Sequence, residues 1–249
     1  MSDLDYYQIA AEASGKINGH QALLYIQEKA KYSKKILDVG CGEGTRLNTL
    51  LPKNKKATGV DISKQAIKKA KGQYPNHKFI SLNNETLPFK DSSFDLVYTA
   101  FVLEHTKNQT KFLNEMLRVL DNHGELVIIC PNYGAPNRRS PNSTESPLQK
   151  LLKGFLNDFS LDGSLNWTKV KPKKKYINID DDTTVEPYLK TLENFFLKNN
   201  LRVIRSSSLW GLEPFSLNPR KLLFSFLGKL NVSPFKYWGP QLFIVVNKK

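Results

Sequence analysis

The sequence predicts an α/β fold in which a mostly parallel β-sheet carries helices on both of its faces. Two observations predict it. Residues 36–51 have the pattern of a buried strand, a turn with three glycines and a helix that stops at Pro52. From there to residue 131, strand-like and helix-like segments alternate. With 249 residues, the chain is long enough to bury a core and to add insertions to one domain.

The glycine turn is the most informative part of the chain. It follows a helical lead-in that we expect over residues 4–33 and an apolar strand over residues 36–39. Gly40, Gly42 and Gly44 then stand at alternate positions, where glycine lets the backbone turn sharply and approach a ligand closely. A strand, a glycine turn and a helix together hold nucleotide-like ligands at the edge of a parallel sheet.

Residues 38–44, which read D-V-G-C-G-E-G, resemble motif I of the class I S-adenosylmethionine-dependent methyltransferases, (D/E)-x-G-x-G-x-G. The resemblance implies S-adenosyl-L-methionine as cofactor and a Rossmann-like sheet of seven strands, of which only the last is antiparallel. It also implies that this loop passes beneath the methionine part of the cofactor. The cofactor-binding residues expected here are Asp38, Gly40, Cys41, Gly42 and Gly44.

A second predicted strand, residues 57–62, ends in an acid. Asp61 lies 21 positions after Gly40, where doubly wound nucleotide-binding sheets place an acid that hydrogen-bonds ribose hydroxyls. The alternative is that Asp61 only caps the next helix, a task that Ser63 can perform alone. We expect the ribose role, and the resemblance implies that Ile62 packs on the adenine.

A third predicted strand, residues 78–82, leads into residues 83–89, N-N-E-T-L-P-F. This segment resembles the family's D-A-E-x-L-P-F segment, whose Asp accepts a hydrogen bond from the adenine amino group. Asn83 takes that place here, and its amide oxygen accepts without the charge. The resemblance therefore implies cofactor contacts from Asn83, Asn84 and Glu85.

The fourth predicted strand follows S-F-D-L-V at residues 93–97 and precedes L-E-H at residues 103–105, a pattern similar to the small-molecule branch of the family. Glu104 and His105 are the candidates for a general base, which a hydroxyl acceptor needs more than other acceptors do. Tyr133, after the fifth strand, is a candidate to line the acceptor site. The alternatives are a helix cap for Glu104 and His105 and a structural role for Tyr133.

The remaining elements complete the sheet. We expect a helix over 114–120, a turn over 121–124, a fifth strand over 125–131, a helix over 185–200, and strands over 201–205 and 241–247. The whole chain, 1–249, is expected to form one domain with a cofactor-binding core at 34–131. Insertions at 132–183 and 212–240 leave from the carboxyl ends of strands, so they should cover the acceptor site as a lid.

The composition of the chain limits the kinds of partner that it can bind. The net charge is +14, and residues 134–249 hold 19 Lys/Arg against 9 Asp/Glu. This excess suggests an anionic partner or a lysine-rich solvated surface. The basic run 171–175 has one aromatic neighbour, Tyr176, so a solvated loop is favoured over an RNA contact. Residues 220–230 place five apolar side chains on one helical face beside three cations, which fits either a lid or a helix at an anionic membrane surface.

The sequence also predicts a cytoplasmic location, since the acidic N-terminus lacks the pattern of a signal peptide and no apolar run approaches the ~20 residues of a membrane span. Two cysteines, Cys41 and Cys130, predict neither a disulfide framework nor a metal site, and we expect Cys130 in the core. The function expected is methyl transfer to a small-molecule, glycan or lipid-type acceptor at oxygen. RNA methylation and a non-catalytic cofactor-binding module are the alternatives.

Overall fold

The computed structural model describes residues 19–173, 179–212 and 216–248. Within these ranges the strands are β1 Ile36–Val39, β2 Thr58–Asp61, β3 Lys78–Ser81, β4 Phe94–Ala100, β5 Leu120–Pro131, β6 Leu201–Ser208 and β7 Gln241–Lys248. The helices are α1 Gln21–Tyr32, α2 Thr45–Leu50, α3 Lys64–Gln73, α4 Gln109–Val119, α5 Pro147–Phe159, α6 Leu189–Lys198 and α7 Pro219–Lys229. The start of the expected lead-in, residues 4–18, lies outside the described residues.

The seven strands form one sheet in the order β3-β2-β1-β4-β5-β7-β6. The pairs among β1 to β5 are parallel, and β7 runs antiparallel to both β5 and β6. Strand β6 therefore points the same way as β1 to β5, and the predicted fold class is confirmed. The strand order reverses between β1 and β4, which is where open α/β sheets bind ligands.

Helices cover both faces of this sheet. On one face, α1, α2 and α3 contribute Ile26, Leu47 and Ile67 to a buried cluster. On the other face, α4 and α6 contribute Leu113 and Leu192 to a second cluster. Each fully buried side chain of this kind contributes about 1.5–3 kcal/mol to the stability of the fold. The two clusters hold the carboxyl ends of the strands in one rigid edge.

Two element boundaries differ from the prediction for non-local reasons. Helix α6 begins at Leu189 and not at residue 185, because the Leu189 N–H donates to the side chain of Asn132 at 3.0 Å. Strand β5 begins at Leu120, because its pairing with β4 shifts register across residues 121–124. The turn predicted for those four residues is thus an irregularity within one strand.

The two insertions carry helices that are anchored to the rest of the molecule. Helix α5 approaches Pro136 so closely that a Cβ on Gly154 would lie 2.6 Å from the proline ring. Helix α7 approaches Trp210 through Gly228 in the same way, and the Trp210 indole N–H donates to the carbonyl of Phe235 at 2.9 Å. Among the helices of the described ranges, none is long and apolar enough to cross a membrane.

We predict opposite effects of two Gly→Ala substitutions in helices. In Gly228→Ala the new Cβ would lie 1.9 Å from the Trp210 indole nitrogen, so we expect a loss of about 1–3 kcal/mol in the free energy of unfolding. In Gly72→Ala, on α3, no atom lies within 4 Å of the new Cβ, and a gain of up to about 1 kcal/mol is expected from helix propensity. Urea unfolding measures both. Equal effects would contradict the docking of α7 on Trp210.

Candidate active site

The glycine loop follows β1 directly and fastens onto the neighbouring strand. The N–H groups of Gly40 and Cys41 both donate to the carbonyl of Val60 on β2, at 2.8 and 3.0 Å. Gly40, Gly42 and Gly44 have φ of 84°, 54° and 83°, a left-handed conformation that other residues rarely adopt. The loop is therefore a fixed cradle of bare backbone at the carboxyl end of β1.

Asp61 ties this loop to the end of β2. One carboxylate oxygen accepts the Gly42 N–H at 2.9 Å, and the other accepts the Ser63 N–H at 2.8 Å. Ser63, and not Asp61, is the N-cap of α3, since its hydroxyl accepts the Ala66 N–H. Burial raises the pKa of Asp61, and the backbone hydrogen bonds from Ser63 and Gly42 oppose that rise. Asp61 is thus held at the site of the expected ribose contact.

The expected adenine side lies on β2 and β3. Ile62 is 73% exposed, which is unusual for a large apolar side chain next to a buried strand. Asn83 is exposed and Glu85 is half-buried, and both follow β3, which pairs with β2. Asn84 uses its side-chain oxygen to accept the Thr86 N–H at 2.8 Å. The structure therefore brings Ile62 and Asn83 to the same edge as Asp61, while the Asn84 side chain shapes the loop.

Asp38 and Cys41 lie beneath the loop and not on its surface. Asp38 is buried and accepts the Tyr98 O–H at 2.9 Å, and burial raises its pKa to about 7. The positive charge of Arg46 opposes that rise, and Arg46 also donates to the carbonyl of Ala100 at 2.9 Å. The Cys41 side chain is buried against Gly59, where an added Cβ would lie 2.7 Å from its sulfur. These contacts support the loop from below.

Glu104 is the most unusual residue of the acceptor side. It lies in the 3-10 turn Leu103–His105 just beyond β4 and is fully buried. Neither of its carboxylate oxygens has a hydrogen-bond partner among the described residues. Burial raises the pKa of Glu104 to about 7, and the charge of His105 opposes this rise. A buried carboxylate that has no hydrogen-bond partner among the described residues is costly, so it indicates a function that requires it.

The end of the first insertion closes over Glu104. The N–H groups of Thr184 and Val185 both donate to the Glu104 carbonyl, at 2.9 and 3.2 Å. His105 stands between two carboxylates, with Nδ1 at 3.2 Å from Asp182 and Nε2 at 3.7 Å from Glu104. The three side chains form a line from the buried Glu104 to the partly exposed Asp182.

Tyr133 follows β5 and lies near Glu104. Burial raises the pKa of Tyr133 well above its usual value, and its hydrogen bond to Asp180 and the charge of Glu104 add to that rise. Tyr133 also lines an open pocket of about 490 Å³ together with Arg139, Ser140, Pro141 and Ser143. Glu104, His105 and Tyr133, the three catalytic candidates, are thus brought together. Cys130, at the end of β5, is fully buried as expected.

Sequence reasoning missed four residues of this region. Arg46 and Tyr98 support Asp38, and Asp180 and Asp182 contact Tyr133 and His105. The acidic run at residues 180–182, after a basic run, was the available signal in the sequence. It did not reveal which strand end the run would cover.

Comparisons with known proteins show what this chain is similar to. Residues 37–128 match the model of a methyltransferase domain family. A probable S-adenosylmethionine-dependent methyltransferase of Mycobacterium tuberculosis is 31% identical over 111 residues, which cover 44% of this chain and 40% of that protein. Demethylmenaquinone methyltransferase of Tropheryma whipplei is 35% identical over 97 residues, which cover 38% of this chain and 41% of that protein.

The fold has relatives among solved structures. The YcgJ protein from Bacillus subtilis superposes with a TM-score of 0.55 at 19% identity, over 92% of this chain and 99% of that chain. Residues 37–128 therefore match a methyltransferase domain family, and the structural likeness, at 19% identity, supports the predicted fold. The family model and the named relatives support the expected family, kind of enzyme and cofactor for this segment of the chain. The chain matches less than half the length of the two relatives named above, and these matches do not identify an acceptor.

We predict that Glu104 makes stability depend on pH. Its pKa of about 7 in the folded protein exceeds the ordinary 4.5, so stability falls as pH rises from 4.5 to about 7 and is constant above. Glu104→Gln removes this loss. Urea unfolding measures the free energy of unfolding of the variant minus that of the parent. This difference should be about 3 kcal/mol more favourable to the variant above pH 7 than below pH 4.5.

Glu28→Gln is the matched control, since the Glu28 side chain is 56% exposed on α1. A hydrogen bond with Lys31 lowers the pKa of Glu28, so we expect Glu28→Gln to show at most a small loss relative to the parent as pH rises, opposite in sign to the gain of Glu104→Gln. A parallel pH dependence of Glu104→Gln and the parent would show that Glu104 is solvated in the folded protein.

Proposed function

We propose that this chain transfers the methyl group of S-adenosyl-L-methionine to an oxygen atom of a small-molecule, glycan or lipid-type acceptor. The observation that carries the proposal is Glu104, a fully buried carboxylate without a hydrogen-bond partner among the described residues. It lies just beyond β4, beside the point where the strand order reverses. A cofactor over β1 and β2 and an acceptor over β4 and β5 would meet there.

The residues present fit the cofactor. The glycine loop offers bare backbone for the methionine part, Asp61 offers carboxylate oxygens to the ribose, and the exposed Ile62 offers an apolar surface to the adenine. When bound, the cofactor supplies a methyl group that its sulfonium charge activates. The protein then has to align the acceptor and exclude water.

Glu104 would accept the hydroxyl proton of the acceptor. A carboxylate with a pKa of about 7 is a stronger base than an ordinary glutamate and is still partly ionised at neutral pH. His105, between Glu104 and Asp182, would pass the proton toward the partly exposed end of this line. Tyr133, which lines the open pocket, would contact the acceptor.

The choice of acceptor rests on the second half of the chain. The open pocket beside Tyr133 presents hydroxyl groups from Ser140 and Ser143, whose oxygens are buried without partners among the described residues. These groups suit a polar part of the acceptor, and one relative is named for a different kind of acceptor, demethylmenaquinone. RNA methylation is less well supported, because Lys173 of the basic run lies 2.5 Å from Asp181 and its charge is neutralised there. A non-catalytic cofactor-binding module is also less well supported, because it would leave the buried Glu104 unexplained.

Replacement of the loop acid tests the cofactor site. We expect Asp61→Ala to weaken binding of S-adenosylhomocysteine by about 10- to 100-fold, because a charged acceptor of hydrogen bonds is lost. Isothermal titration measures the affinity, and Asp121→Ala, at an exposed position, is the control. Unchanged affinity in both Asp61→Ala and Gly42→Val would contradict the assignment of the site.

Replacement of the buried acid tests the chemistry. With labelled S-adenosylmethionine and an extract of cells that lack the protein, Glu104→Gln should transfer methyl groups about 10²–10⁴-fold more slowly than the parent. Its affinity for S-adenosylhomocysteine should stay the same. The parent rate should rise with pH through about 7, as Glu104 loses its proton, and the variant should lack this rise. Full activity of Glu104→Gln would refute the role of Glu104 as base.

A further inference from the structure

Helices α5 and α7 both present apolar side chains to solvent. We call the apolar face the six residues Leu152, Leu156 and Phe159 of α5 and Leu223, Phe226 and Leu230 at α7. Each is between 53% and 72% exposed. Soluble proteins rarely expose several large apolar side chains next to one another unless that surface binds something.

The apolar face is a fixed feature of the fold. The inner sides of both helices are packed, α5 on Pro136 through Gly154 and α7 on Trp210 through Gly228. Neither helix can therefore rotate to bury its outer side chains without losing these contacts. The apolar side chains are on the outside because the inside is already filled.

One tryptophan joins the two helices. The indole N–H of Trp238 donates to Asp158 on α5 at 3.0 Å, and its ring lies edge-on to Phe224 of α7 with 5.3 Å between ring centres. Trp238 itself is buried. The two helices are therefore neighbours that pack on a common side chain, and each has its exposed apolar side chains on the side away from that contact.

The part of this region around α7 is positively charged. Residues 216–248 contain five Lys/Arg and no Asp/Glu. Arg220 and Lys221 at the start of α7 and Lys229 at its end are exposed, and none of the three has an ion pair among the described residues. Apolar side chains on one face with cations beside them are typical of helices that lie in the headgroup region of a bilayer.

We propose that the apolar face docks on an anionic lipid bilayer, with the leucines and phenylalanines in the acyl boundary and the three cations against lipid phosphates. A second copy of the chain is a poorer occupant. A two-fold dimer would bring the same surface against itself, and residues 216–248 offer no acid to pair with the cations. Nucleic acid would leave the apolar side chains unburied.

The docking surface does not depend on the proposed methyl transfer. A further step, which does rest on the proposed function, concerns the kind of acceptor. Both insertions leave the sheet at its carboxyl edge, where Glu104 and Tyr133 lie. A bilayer that contacts α5 and α7 would therefore lie on the acceptor side of the molecule, which favours a lipid-type acceptor over a freely soluble one.

Flotation with vesicles tests the surface, with no cofactor present. We expect the protein to bind vesicles of phosphatidylcholine and phosphatidylglycerol and to bind pure phosphatidylcholine at least about tenfold more weakly. The double variant Leu156→Glu/Phe226→Glu should lose at least about tenfold in binding to the anionic vesicles, because two charges enter the buried face. Leu197→Glu is the matched control, since Leu197 is 52% exposed on α6, outside the apolar face.

A second variant isolates the charge. Arg220→Ser/Lys221→Ser/Lys229→Ser leaves the apolar face intact and should bind anionic vesicles more weakly at low salt, with little difference from the parent at high salt. Thermal unfolding confirms that each variant folds. Equal vesicle binding by the parent and the double variant would overturn the proposal. So would a parent dimer in sedimentation that the double variant abolishes, because a second copy would then be the occupant.

Discussion

The carboxylate of Asp61 holds together the parts of the proposed cofactor site. It accepts one N–H from the glycine loop and one from the start of α3. The end of β2, the glycine loop and the start of α3 are therefore fixed to one another. The loop has left-handed backbone at each of its three glycines and needs such an anchor to keep one conformation. Because the strand order reverses beside this loop, the same anchor also sets where a ligand enters the crevice.

The acceptor side is organised by a different constraint, a buried carboxylate. The main chain of Glu104 accepts two N–H groups from Thr184 and Val185, which follow the first insertion directly. The Glu104 side chain is fully buried, and its carboxylate oxygens have no hydrogen-bond partner among the described residues. Burial raises the pKa of Glu104, and the end of the first insertion supplies Asp180 and Asp182 to the neighbouring Tyr133 and His105.

The sequence was most informative where the structure is local. The glycine loop, Asp61 and the order of strands followed from short segments whose residues act on their immediate neighbours. The pairing of His105 with Asp182 could not be predicted, because 77 positions separate them and only the folded insertion brings them together. The start of α6 was misplaced for the same reason, since Asn132, which follows β5 and is distant in sequence, fixes it. An apolar helical stripe, likewise, predicts a helix in α5 and α7 but not whether protein covers it.

Asn132 shows why the two insertions act as one unit. This buried residue follows β5 and donates from its side chain to the carbonyls of Tyr237 and Gly239 in the second insertion, at 2.6 and 2.9 Å. Its side-chain oxygen accepts the N–H that begins α6. Since Tyr133 is the next residue, Asn132 joins the open pocket that Tyr133 lines to the segment between α7 and β7 and to the start of α6.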